Sequence, residues 1–192
     1  MTLALFAALF LAACGDDGTD PSDPPADLGG CDGAYEKVPV EAGQHLSIGT
    51  PITWSTNPPA TGAHFPIWAG WDRHYRQLDR GYWVHNLEHG GIVLLYNCPA
   101  GCDDVVNELI AVVKEAPIDA TCEGVVKHRL VIAADPLLPP GVQVAAVAWD
   151  RIYTASCYDP YVATFVRTRY RKGPEDTCAD GSPMAGSLIT SP

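Results

Sequence analysis

Basic residues are scarce in this chain. Twelve Lys and Arg stand against 23 Asp and Glu, for a formal net charge of -11 and a pI near 4.7. Nucleic acid and anionic lipid headgroups both recruit a basic surface, so neither is expected as a partner. Apolar runs are short: none reaches the roughly 20 residues that a membrane-spanning helix needs. There is no Walker loop, no GxGxxG and no GxSxG elbow, which removes the common nucleotide, dinucleotide and serine-hydrolase chemistries. CxxC pairs, thiolate-rich clusters and internal repeats are missing too. Methionine is limited to two residues, and apart from Met1 only Met184 could offer a thioether. The soft sulfur that Cu(I) prefers is therefore in short supply.

What is present starts with Met1 to Phe10, almost wholly apolar, running into Leu11-Ala12-Ala13-Cys14. Small residues directly before a cysteine form a lipobox, and about 13 residues are too few to span a bilayer. Residues 1–13 read as a removable signal peptide and Cys14 as the lipidation site. The membrane is then a partner through the N-terminal lipid, and the location is the extracytoplasmic side of a bacterial cell envelope. Asp16, Asp17, Asp20, Asp23 and Asp27 lie in a Pro/Gly/Asp stretch ending at Gly30. Such composition buries no apolar area, so residues 14–30 are expected to be a disordered tether.

Setting Cys14 aside leaves six cysteines: Cys31, Cys98, Cys102, Cys122, Cys157 and Cys178. An even set in an exported chain suits up to three disulfides, with 15 possible connectivities. Cys98 and Cys102 flank Pro-Ala-Gly and could close a local loop. Residues 31–180 form one expected domain and residues 181–192 a flexible tail.

Within that domain, Gly91 to Tyr96 is a short apolar β-type run. Asp103 and Asp104 precede helically spaced Val105, Val106, Leu109, Ile110 and Val113, stopped near Pro117. His128 to Ala134, Val142 to Trp149 and Arg151 to Cys157 read as strands of a hairpin or meander. Asp159-Pro160 opens a second helix, ending in Arg171-Lys172-Gly173. Residues 50–82, rich in Pro, Gly, Trp and Tyr, read as ordered loops. The expected fold is α+β: a small, mainly antiparallel sheet with two packed helices and a long ordered loop region, stabilised by disulfides.

Five of the six histidines fall between His45 and His89. His85 and His89 are four apart and share a face in a helix or a strand, and His64 follows the proline-stiffened Asn57-Pro58-Pro59-Ala60-Thr61-Gly62-Ala63. A spaced pair plus a third imidazole suits metal ligation. His74 and His128 read as isolated, ordinary histidines. His85-x-x-Glu88-His89 also matches the inverted zincin string, but Gly90-Gly91 and the β-type run behind it argue against the long helix that peptidase chemistry uses. Glu88 then reads as a further ligand, a partner orienting a histidine, or a cap. Trp54, Trp68, Trp71, Trp83 and Tyr82 could line a cleft or fill a core.

His45, Asn57-Pro58-Pro59-x-Thr61-Gly62-x-His64 and Val84-His85-Asn86-Leu87-Glu88-His89-Gly90-Gly91, with weaker Ala148-Trp149-Asp150-Arg151 and Arg171-Lys172-Gly173-Pro174-Glu175, resemble the bacterial family called domain of unknown function 3105. The resemblance spans about residues 40 to 176. It implies an extracytoplasmic, often membrane-tethered domain with His45, His64, His85, Glu88 and His89 as hallmark positions, and it supplies no activity. Residues 71–82 depart from the family's usual pattern. The expected function is a metal-binding lipoprotein with His45, His64, His85 and His89 as ligands and Glu88 behind them. Imidazole ligation suits copper as Cu(II), or zinc as Zn(II), held for storage, delivery or sensing. One rival is a metal-dependent hydrolase or oxidase with an open coordination position. The other is a non-catalytic binding or assembly module with a structural His/Trp cluster.

Overall fold

The computed structural model describes residues 28, 31–122, 124 and 126–190. The expected signal peptide, Cys14 and nearly all of the tether lie outside these residues.

Three apolar runs form the middle of one mixed sheet: β3 (Ile92–Tyr96), β4 (Leu130–Ala134) and β5 (Val144–Ala148). They are buried on both faces, which is why they read as continuous rather than alternating hydrophobic runs. Val93, Leu95, Val131, Ala133, Ala145 and Val147 point to one face. Ile92, Leu94, Leu130, Ile132, Val144 and Ala146 point to the other. Around this middle lie β1 (Ala34–Lys37), β2 (Arg73–Leu78), β6 (Arg151–Ala155) and β7 (Gly186–Thr190), in the spatial order β1-β6-β5-β3-β4-β2-β7. β2, β4 and β3 run parallel to their neighbours within this trio, and the other pairings are antiparallel.

The chain is α+β, as its sequence implies, with one more helix and a larger sheet. α1 (Arg80–Glu88) packs on the first face, while α2 (Asp103–Glu115) and α3 (Tyr161–Arg169) cover the second. α2 carries Asp103 and Asp104 in its first turn and stops before Pro117, as read from the sequence. In α3, Asp159 accepts a hydrogen bond from the Tyr161 amide (2.7 Å), the local cap expected there. The helix ends earlier than expected, and Arg171, not Gly173, takes the left-handed conformation (φ 62°).

Three expectations are corrected, and the disulfide connectivity left open by the sequence is resolved. Residues 73–78 and 80–88, expected as loop or as non-helical, are a strand and a helix. β4 and β5 do not pair with each other; both flank β3, and the hairpin is β5–β6, turned at Asp150 (φ 58°). Residues 186–190, expected within a flexible tail, form β7, which pairs with β2. The six cysteines pair as Cys31–Cys157, Cys98–Cys102 and Cys122–Cys178.

Candidate metal centre

The Thr61-Gly62-x-His64 string places the first candidate ligand, His64. The buried Thr61 hydroxyl donates to the Pro39 carbonyl (3.1 Å) and accepts from the Glu41 amide (3.1 Å), tying this loop to the segment that leads to His45. Gly62 sits at φ 101°, a conformation that costs a side-chain-bearing residue dearly. There its carbonyl accepts from His64 Nδ1 (2.8 Å). That bond fixes the tautomer and leaves Nε2 as the lone-pair-bearing nitrogen. His64 and His45 also face each other in a single parallel bridge, with Leu46 N donating to His64 O and His64 N to Gln44 O.

Helix α1 supplies the next two. Asp79 caps it by accepting from Gly81 N (2.8 Å). His85 Nδ1 donates to the Phe65 carbonyl (2.6 Å), repeating the arrangement at His64 and again presenting Nε2. Asn86 pins the loop over the helix through two bonds to the Ala69 backbone, 3.0 and 2.9 Å. Gly81 lets that loop come close, since a Cβ there would sit 2.6 Å from the Phe65 ring. His85 is buried and its pKa is pushed down to about 3 by that burial first, then by the neighbouring His64, His89 and His45, against the Phe65 carbonyl. Its imidazole is therefore neutral at physiological pH.

All three Nε2 atoms face one carboxylate oxygen. Glu88 Oε2 lies 3.0 Å from His64 Nε2 and 3.9 Å from both His45 Nε2 and His85 Nε2. The four donor groups lie within 4.8 Å of one another. Ligands around a tetrahedral ion with bonds of about 2.05 Å stand roughly 3.3 Å apart, so the arrangement is slightly wider than a closed site. Three members are walled in, whereas the His45 side chain is 53% exposed and has room to close. His64 Nε2 is fully buried and makes no hydrogen bond despite its contact with Glu88. A buried polar atom left in that condition is costly unless something engages it.

His89 is placed differently from the sequence expectation. It is the residue that ends α1, and its Nδ1 lies 3.1 Å from Glu175 rather than among the four donors. Its ring packs on Trp68 (4.4 Å) and His85 (4.6 Å). Burial lowers its pKa, opposed by Glu175. His74 and His128 lie elsewhere, bonded to Tyr96 (2.9 Å) and to Asp72 (2.8 Å). Of the aromatic group, Trp71 and Trp83 are core, and Trp68 forms a wall of the centre through contacts with His85 and His89.

Sequence reasoning missed the strap behind α1. Arg171 N donates to Gly90 O (2.8 Å) and Glu175 N to Glu88 O (2.9 Å), with Gly173 so close that a Cβ would meet the Leu87 carbonyl at 2.6 Å. The fully buried Arg129 pairs with Asp119 (2.8 Å) and Asp176 (2.5 Å) and donates to the His89 carbonyl (3.0 Å), and Cys122–Cys178 closes the same segment. The Arg171-Lys172-Gly173-Pro174-Glu175 string was the one signal available for it.

Residues 45–181 match a family profile described as a protein of unknown function (DUF3105). No curated protein and no solved structure matches the chain.

Proposed function

Because the chain belongs to the DUF3105 family, whose description assigns no activity, we propose its function from the site: a divalent transition metal held by His45, His64, His85 and Glu88. The observation that carries this reading is the convergence of three imidazole Nε2 atoms on Glu88 Oε2, two of them with Nδ1 committed to a backbone carbonyl. Three neutral imidazoles and one carboxylate suit Zn(II) or Cu(II), and the absence of sulfur from the set disfavours Cu(I). His89 with Glu175 supports the cage from behind instead of ligating. With six paired cysteines and the lipobox at Cys14, the working location is the oxidising side of the cell envelope, and the role is metal storage, delivery or sensing.

The test is metal content by mass spectrometry on the purified full chain after stripping and reloading with Zn(II) or Cu(II). About one equivalent, lost in His64→Ala and His85→Ala, is expected. Uptake no greater than in a variant lacking all three histidines ends this reading and leaves a structural histidine cluster.

A second reading rests on the exposure of His45. If His45 stays outward, His64, His85 and Glu88 form a two-histidine, one-glutamate set with a position open to water, the donor set of several zinc hydrolases. His45→Ala then keeps the bound metal; in the four-ligand site it loses most of it.

A further inference from the structure

On the opposite face of the sheet from the metal centre, β3, α2 and β4 form a strand–helix–strand unit with β3 and β4 parallel neighbours. Cys98 and Cys102 sit in the loop after β3, where such units carry function. We propose that Cys98–Cys102 is a thiol–disulfide exchange site that takes electrons from an external dithiol.

Three observations converge on it. The first is loop size. The chain separations of the three pairs are 4, 56 and 126 residues, and the stabilisation a cross-link draws from chain entropy shrinks with the loop it closes. Opening the pair at 98 and 102 therefore costs the fold least, so it can be reduced while the rest of the molecule stays folded. The second is access. Both sulfur-bearing residues are half-buried and the Pro99-Ala100-Gly101 loop between them is exposed, whereas each of the other pairs has one buried member, Cys31 or Cys122, beside a half-buried one. A pocket of about 370 Å³ opens beside them, lined also by His74, Arg76, Tyr96 and Asp103. The third is polarity. Cys102 is the cap residue of α2, with no side-chain hydrogen bond capping the helix. A thiolate there meets the unpaired amides and the positive end of a 13-residue helix. Asp103 and Asp104 in the first turn trim that gain and repel anionic thiols, which favours a neutral dithiol.

The chemistry then has a direction. A thiolate of the dithiol attacks Cys98 Sγ, the Sγ–Sγ bond breaks, and Cys102 leaves with the electron pair as the better-stabilised thiolate. The partner's second thiolate attacks its own sulfur in the mixed disulfide and expels Cys98. Two electrons have moved to the protein, the partner departs as a disulfide, and the two protons it lost are taken up by Cys98 and Cys102.

The full chain is equilibrated with mixtures of reduced and oxidised dithiothreitol, quenched in acid, alkylated and mapped by peptide mass. Cys98 and Cys102 are expected to be half-labelled at a reduced-to-oxidised ratio at least ~100-fold lower than either other pair requires, about 59 mV apart, with the near-UV circular dichroism unchanged. Reduction in step with another pair, or only as the dichroism collapses, overturns the proposal. The two single variants test the direction. At neutral pH, Cys102 in Cys98→Ser is expected to alkylate about 10-fold faster than Cys98 in Cys102→Ser, and equal or reversed rates refute the assigned leaving group.

Discussion

Glu88 faces the imidazoles of His45, His64 and His85, so its charge and its shape can be separated experimentally. Glu88→Gln keeps the volume and removes the anion that balances a dication. Metal affinity is expected to fall about 10- to 100-fold, read by competition with a chromophoric chelator, while the melting temperature of the metal-free protein holds. Gly43 tests position instead of charge. A Cβ there would lie 2.5 Å from Glu88 Oε1 and 3.4 Å from the His64 ring. The end of a flexible side chain yields more readily than backbone, so Gly43→Ala should displace the carboxylate and weaken metal binding by about 10-fold while costing under about 0.5 kcal/mol of stability in a denaturant titration. His64 and His85 were legible in the sequence because their motifs stand out against a background poor in other ligands. The separate place of His89 was not legible. The four-residue spacing does bring its ring against His85 (4.6 Å), but its Nδ1 is turned to Glu175, which arrives from a segment 86 residues further along the chain.

Among the elements, α2 and the three central strands could be read because their patterns are pure: an apolar stripe behind two acidic residues, and runs buried on both faces. α1 and β2 could not. Arg80–Glu88 contains Gly, Tyr, Trp, Val, His and Asn, weak helix formers all, and six of its nine residues are buried, so no polar face advertises the period. Tertiary contacts, including the Asn86 amide and the Asp79 cap, supply what propensity withholds. The strap behind α1 depends on a buried charge cluster, and that makes it pH-sensitive. Burial alone would raise the Asp119 pKa, but the Thr121 hydroxyl and the Arg129 guanidinium outweigh it and bring it down to about 2. A carboxylate held below its unfolded value adds stability that is fully present above that value and is lost as pH falls from about 4 through about 2. Asp119→Ala leaves Arg129 short of a buried partner and is expected to cost about 3–5 kcal/mol at neutral pH, with a flatter acid limb in the stability profile. An unchanged acid limb would place the pH dependence elsewhere.

At the scale of the whole molecule, the sheet separates two chemistries. The histidine centre and α1 occupy one face, and the Cys98–Cys102 loop and α2 the other, with two apolar layers between them. α+β architecture was legible from the alternation of elements. The strand order was not, because β3, an early strand, is inserted between β4 and β5, and no local pattern encodes a long-range insertion. The Cys31–Cys157 bridge encloses residues 45–88, and so the entire candidate centre, in one covalent ring. Mechanically, that ring is a short circuit. Tension applied between residues 31 and 190 crosses at the sulfurs and can draw out only the 33 residues from 157 to 190, roughly 110 Å of contour at about 3.4 Å each, against roughly 540 Å for the 159 residues of the reduced chain. Single-molecule pulling should show the short extension in the oxidised protein and the long one after reduction. A protein built this way can be tugged by one end while the segment that carries His45, His64, His85 and Glu88 stays inside the closed ring.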